Sequence, residues 1–573
     1  MRRRRCLATA LMLVSAALGG CGGCGDETLE DAGPGSDAAH ADHVVQDLAS
    51  IDHSGSDGSV VRDSAGPDLA TADSTVLQDA TGNDLLASDS ATTPDSASSD
   101  LAVTDTAAMT DATAADAASA EDAAVEDAAA LSPVSLVVTP ADPFIAASHP
   151  QQLTATGTFG DSSSRDMTTE VSWSSSDDSL IAVSASGLAT FVKVGGPVTL
   201  TATAPANQVS GSVTHLARKI VFVTSTSGSA DLGSWSEAGS HTGVAAGDAI
   251  CQARASAAGL DGTFRAWLSD DTNDAYCHVA GFAGKMSATC GEANLPTEGG
   301  PWLRTDGFPF VASLTDLVAG KLLVSLRLDE AANAFTWARS FTGTMSSGDL
   351  DATGSCSAWT STTALSVKVG DITWTTTGWG ATNGSCSDTN HLICFELGSG
   401  EPLPDFAQDG KKAFVTTVSG TGDLSSWGDA AGQTGVAAAD AVCQAQAGEA
   451  SLSGSFKAWL STSSVDAIDR FTSDGPWVTL DGVLIASSKA DLTDNWLFTS
   501  INRTTDGHYL SADSVRTGTG SDGVHTSDNC QDWTSASSGD SCSVGAANST
   551  GSGWTSSYAG TCSAMQRLYC LED

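Results

Sequence analysis

The sequence is short of positive charge, of tyrosine and, for a long stretch, of cysteine. Across 573 residues, 25 Lys and Arg stand against 69 Asp and Glu, a formal net charge of −44, with 4 Tyr and 10 His. That balance repels a phosphate backbone and excludes nucleic acid as a partner. No cysteine lies between Cys24 and Cys251, whereas eleven of the 14 lie beyond it or at it. This layout fits disulfides made in an oxidising compartment rather than a cytosolic thiol enzyme. After the N-terminus no apolar run is long enough to span a bilayer. Also missing are a Gly-x-Ser-x-Gly elbow, a His-Glu-x-x-His pair, a phosphate-binding loop and a dinucleotide fingerprint. No enzymatic activity, metal or cofactor is therefore expected.

What is present begins with export. Arg2–Arg5 form a basic start, and Leu7–Leu18 form an apolar stretch of 12 residues. A stretch that short reads as a signal peptide, not a membrane helix. It ends in Leu18-Gly19-Gly20-Cys21, which resembles the lipobox of bacterial lipoproteins. The resemblance implies cleavage after residue 20 and acylation of Cys21; Cys24 is a weaker alternative. Several acyl chains, each buried CH₂ contributing about 0.8 kcal/mol, anchor a protein firmly. Gly22 stands where some inner-membrane lipoproteins carry Asp, which favours an outer-membrane, surface-exposed location.

Residues 21–131 form an acidic low-complexity segment. Within 26–131 there are 24 acids and one base, Arg62. Such a composition cannot bury enough apolar surface to offset its ordering entropy, so a disordered stalk is expected. Its root-mean-square reach would be about 55–60 Å.

At Ser132 the pattern changes to short alternating strands: 135–139, 152–158, 170–173, 181–183 and 198–203. Turn residues separate them, as in a β-sandwich. Gln152-Leu-Thr-Ala-Thr-Gly157, Val171-Ser-Trp-Ser-Ser-Ser176 and Ala182-Val-Ser-Ala-Ser-Gly187 resemble group 2 bacterial Ig-like domains. The resemblance covers 132–217, implies a spacer role and makes Trp173 a core residue.

The remainder is an internal repeat. Residues 219–267 align without gaps on 411–459 at an offset of 192, which then drops to 175, so the first copy carries 17 extra residues. Phe222-Val-Thr224 falls on Phe414-Val-Thr416, Phe264-Arg-Ala-Trp-Leu-Ser269 on Phe456-Lys-Ala-Trp-Leu-Ser461, and Thr342-Gly-Thr344 on Thr517-Gly-Thr519. The extra segment contains Cys277 and Cys290, which have no counterparts and most simply bridge each other. Val244–Ala257 and Val436–Ala450 read as one Ala-rich helix per copy, with Asp248 and Asp440 as N-terminal caps. The copies span 219–397 and 411–573, with 398–410 as linker.

In each copy an Ala-Asp-x-x-Cys start, a Phe-x-Ala-Trp-Leu-Ser strand, a Cys-x-x-Trp and a closing pair of cysteines eight apart resemble endostatin. They are also similar to a bacterial domain family of unknown function in spirochaete and myxobacterial lipoproteins. For four cysteines the sequence alone leaves three pairings open. The resemblance implies Cys251–Cys394 with Cys356–Cys386, and Cys443–Cys570 with Cys530–Cys562. Cys542 is left over, as a free thiol or a link between molecules. The implied fold class is multidomain: a disordered stalk, an all-β Ig-like sandwich and two disulfide-bonded α+β domains related to C-type lectins. Endostatin's zinc histidines and clustered arginines have no counterparts here, so neither metal nor heparin binding is carried over.

Six recurring tryptophans, Trp267, Trp302, Trp359, Trp459, Trp477 and Trp533, are expected in cores. Trp235 and Trp427, in Gly/Ser-rich stretches, are the candidates for stacking on sugar rings, with Trp374, Trp379 and Trp554 as weaker ones. The expected function is a surface lipoprotein whose tandem lectin-like modules bind carbohydrate, extracellular matrix or surface proteins. The alternative is an envelope or matrix component that self-associates; a glycan-active enzyme is a third reading. Cys21→Ser is expected to shift the protein from the membrane fraction to the soluble one and to end incorporation of labelled fatty acid. Continued labelling through Cys24 would move the anchor three residues along.

Overall fold

The computed structural model describes residues 132–573. The signal peptide, the lipidation candidate Cys21 and the acidic stalk lie outside the described residues. Regular structure is mostly β, with few helices and five disulfides.

Residues 132–217 form three small antiparallel sheets. Their strands alternate as a half-buried pleat must: in Val198–Thr203, Val198, Leu200 and Ala202 point inward while the threonines between them are half-buried. Ser135–Thr139 buries Leu136 and Val138 in the same way. These side chains share one apolar cluster with Leu153, Ile181 and Val213. Trp173 packs against that cluster half-buried, and its indole nitrogen donates to the Thr168 carbonyl at 2.9 Å.

From Lys219 onward the chain builds one arrangement twice. Lys219–Val223 lies inside a five-stranded sheet, between Ile393–Glu396 and Trp302–Leu303. Lys411–Val415 takes the same place between Arg567–Glu572 and Trp477–Val478. One long helix per copy, Gly243–Ala257 and Gly435–Glu449, packs on the strand that follows it. Gly259, with φ of +62°, closes the first helix in the left-handed conformation usual just past a helix end. The disulfides Cys251–Cys394 and Cys443–Cys570 tie each helix to the closing strand. Cys356–Cys386 and Cys530–Cys562 staple the later loops, and Cys277–Cys290 staples the extra segment of the first copy.

Asp248 and Asp440 are not caps. Each helix starts five residues earlier, so the amide donors there already have carbonyl partners one turn back. The carboxylates instead reach the next strand. Asp248 accepts from Ala266 N at 3.0 Å and meets His278 Nε2 at 2.8 Å. Asp440 accepts from Ala458 N at 2.9 Å and from Arg470 at 2.6 Å.

The six recurring tryptophans are each at most 1% exposed. The Thr-Gly-Thr motif serves two of them. Gly343 and Gly518 have φ of +60° and +58°, and a Cβ there would stand 2.8 and 2.6 Å from the rings of Trp359 and Trp533. Only glycine allows that approach.

The parts are also joined to one another. Phe144, Phe308, Leu323, Val324 and Val483 form a buried apolar cluster, against which Leu403, Phe406 and Phe498 pack. That cluster draws on residues 132–217, both copies and the 398–410 segment. Thr375 N donates to Asn548 O at 3.1 Å, and Thr550 N donates to Thr373 O at 3.0 Å, so the two copies exchange backbone hydrogen bonds.

One pair of core positions differs between copies. The first copy holds Phe341 and Val367 in its core. The strand registers put Arg516 and Cys542 in their places. Arg516 is fully buried with no carboxylate partner; its guanidinium donates to Cys542 Sγ at 3.2 Å, to Cys530 Sγ at 3.6 Å and to the carbonyls of Gly420, Cys562 and Ala564. Burial pushes the Cys542 thiol up, against the opposing pull of Arg516. The thiol has no exposed surface, so the link between molecules considered for it is closed off in the folded state. Cys542→Val alone strips a partner from a buried charge and is expected to cost about 1–3 kcal/mol. Arg516→Phe with Cys542→Val, which installs the first copy's pair, is expected to be at least as stable as the parent, because an apolar replacement of a buried charge is often neutral or better. Equilibrium denaturation under oxidising conditions distinguishes these. A double variant less stable than Cys542→Val would make the guanidinium a structural requirement.

Candidate functional site

Of the 14 tryptophans, all within the described residues, Trp337 is the exposed one, at 58%. It precedes the strand Arg339–Phe341 and lines a groove of about 360 Å³ with Arg339, Asp388, Asn390 and His391. Backbone pairing brings the two chain segments together. His391 N donates to Arg339 O at 2.9 Å and Phe341 N to His391 O at 3.0 Å. Trp337 sits in a bend just before that strand, and the Arg339 guanidinium carbon lies 5.3 Å over its ring. The indole is held at its edge, since Trp337 Nε1 donates to Asp371 Oδ2 at 3.2 Å.

The polar wall contains donors without acceptors. Asn390 is 3% exposed; its backbone exchanges two hydrogen bonds with Gly228, yet its Nδ2 has no partner. Arg339 forms no ion pair with a described residue, and its buried Nε is also unpartnered. Asp388 Oδ2 accepts from Ser385 N at 2.9 Å. His391 Nδ1 lies 2.7 Å from the Thr224 carbonyl, which places a proton on that nitrogen and leaves Nε2 as an acceptor. Burial lowers the His391 pKa, with the Thr224 and Thr226 carbonyls and then the Glu330 charge opposing it. The groove thus combines an aromatic platform, a guanidinium without an ion partner among the described residues, and carboxylate and imidazole groups.

The second copy has a pocket of about 280 Å³ at the corresponding edge, lined by Asp506, His508, Tyr509, Asp513 and Arg567 among others. Its chemistry differs. Ala512 stands where the first copy has Trp337, and Ser514 where it has Arg339. Arg567 is committed to Asp513 at 2.8 Å and to the carbonyls of Thr416 and Thr417. Arg503 stacks 4.3 Å over Tyr509 while bonded to Asp481. A Thr504 hydroxyl, then His508, draws the Asp506 pKa down to about 2.

Trp235 and Trp427 are not open stacking faces. They are 8% and 7% exposed, and their indole nitrogens donate to Ser229 O at 2.9 Å and Thr421 O at 3.0 Å. The glycines that suggested an exposed loop do the opposite. A Cβ on Gly228 or Gly420 would lie 2.3 or 2.2 Å from the indole, so small residues let backbone close over the ring. Only an edge of Trp235 reaches a shallow neighbouring pocket. Trp379 and Trp554 are buried, and Trp374 is half-buried where the copies pair. Trp337 escaped the repeat comparison because it has no counterpart; the signal it did carry was a tryptophan two residues before an arginine.

Five disulfides in a β-rich chain mark an exported protein. Among the described residues no helix is long and apolar enough to cross a membrane. No protein-family model matches the chain. A stretch of 64 residues, 11% of the chain, is 42% identical to part of Ice-binding protein 1 of Shewanella frigidimarina, and the match spans 7% of that protein.

Because burial disfavours the charged ring, His391 has a folded pKa below its ordinary 6.5. The unfolded chain then takes up the proton first, and this residue's contribution to stability is lost as pH falls below about 6.5 toward the folded value. An NMR titration is expected to give a midpoint under 6.5, and the His391→Gln variant a shallower loss of stability on acidification. A midpoint above 6.5 would mean that the Thr224 and Thr226 carbonyls, with the Glu330 charge, outweigh burial.

Proposed function

We propose that the chain is a lipid-anchored surface lipoprotein that binds carbohydrate or a carbohydrate-bearing matrix through the first of two lectin-like modules. In this reading Cys21 carries the lipid, 21–131 is a stalk and 132–217 an Ig-like spacer. Residues 219–397 and 411–573 are the endostatin-like modules. The observation that carries it is the Trp337 groove. A pyranose offers an apolar face and a rim of hydroxyls; Trp337 offers a fixed aromatic face beside Arg339, Asp388 and Asn390. A large exposed aromatic beside placed polar groups is an expensive surface to leave open unless something covers it.

The second module supports the first through the shared apolar cluster and the exchanged hydrogen bonds, and its pocket has different chemistry. Duplication here does not repeat one binding site. The stretch shared with Ice-binding protein 1 covers too little of that protein to bring ice binding to this chain.

The test is an array of glycans and matrix polymers probed with the full oxidised chain. Trp337→Ala is expected to weaken binding about tenfold or more, roughly 1.4 kcal/mol, with the melting profile unchanged because the ring is exposed. Undiminished binding would move the site away from this groove.

A further inference from the structure

We propose that the groove selects a saccharide bearing a carboxylate, a uronate unit, with Arg339 as the residue that determines this specificity. The inference rests on the saccharide reading above and adds the chemical class.

Residues 219–396 contain 18 acids and 9 bases, so an arginine here has carboxylates in ready supply. Two of the module's other four arginines use them: Arg254 pairs with Glu330 and Glu237, and Arg304 with Asp306, while Arg265 and Arg327 form no ion pair among the described residues. Arg339 forms none there either, although Asp371 and Asp388 stand close to the same groove: Asp371 is taken by Trp337 and Thr373, and Asp388 by Ser385. What remains is a guanidinium resting on an indole with an unpartnered buried Nε.

A part-exposed guanidinium without an ion partner among the described residues calls for an anionic acceptor. A single sugar hydroxyl offers one oxygen and no charge. A carboxylate offers two oxygens and a full negative charge, which suits the planar fork of arginine. Stacking on Trp337 would hold the ring that carries it. The free Oδ1 of Asp388 and the Nε2 of His391 are left to accept from ring hydroxyls. The acidity of the whole chain does not forbid this. At physiological salt, fields are screened over about 8 Å, so the guanidinium in contact outweighs distant carboxylates.

The full oxidised chain is to be titrated with polygalacturonate, with its fully methyl-esterified form and with neutral dextran. The expected result is a preference of about tenfold for the acid over the ester, a difference of the size one lost charge-assisted contact gives. Arg339→Gln is expected to abolish that preference and Arg339→Lys to restore part of it, since lysine keeps the charge without the fork. Trp337→Ala is expected to reduce binding to every saccharide. Equal binding of acid and ester, or a preference that survives Arg339→Gln in a folded protein, would overturn the carboxylate assignment while leaving saccharide binding in place. Failure to bind any saccharide on the array or in this set would overturn both.

Discussion

Each repeated module depends on one cross-linked strand. Ile393–Glu396 in the first copy pairs on one side with Lys219–Val223 and on the other with Phe264–Ala266. It accepts the Trp302 indole at the Glu396 carbonyl, 2.9 Å away, and takes the disulfide from the long helix at Cys394. The second copy repeats this with Trp477 on Glu572 and Cys443 on Cys570. Much of each module is turn and loop, whose ordering entropy is high. Closing spans of 143 and 127 residues contributes about 4–5 kcal/mol each on the chain-entropy model, of the same order as the stability of a whole small domain. The buried tryptophans then fill the space between helix, closing strand and stapled loops.

A scaffold held this firmly can vary at positions that do not carry it. Phe341 and Val367 become Arg516 and Cys542 without a change in strand register. The partner of the helix aspartate changes from His278 to Arg470. At the groove, Trp337 and Arg339 become Ala512 and Ser514, and a different set of charged groups fills the corresponding pocket. The copies share architecture and differ in what they offer a ligand. Their attachment through the Thr373–Thr375 segment and the apolar cluster makes the second copy part of the support for the first.

Local signals located the regular elements well. The strands 135–139, 181–183 and 198–203 lie where alternation puts them, and the Ala-rich helices begin and end within a residue of their sequence bounds. The expected strand 170–173 lies two residues later, at Ser172–Ser175, because turn residues there left its phase weakly marked. The site was far less legible. Gly/Ser-rich surroundings made Trp235 and Trp427 look like open loop residues, when those glycines exist to let backbone pack on the rings. Comparison of the repeats finds what the scaffold needs twice, and so it passed over Trp337, which occurs once.

By itself the sequence determined that the protein is exported, its acidic character, the internal repeat and the β-rich texture. These follow from composition, short-range periodicity and self-similarity, which any stretch of chain displays before it folds. Only the tertiary structure decided which tryptophan faces solvent, where Asp248 and Asp440 bond, that Cys542 is sealed against Arg516, and that Arg339 rests on Trp337 beside Asp388 and His391. Each of those depends on residues tens to hundreds of positions apart, and such contacts leave no mark on the local pattern of either partner.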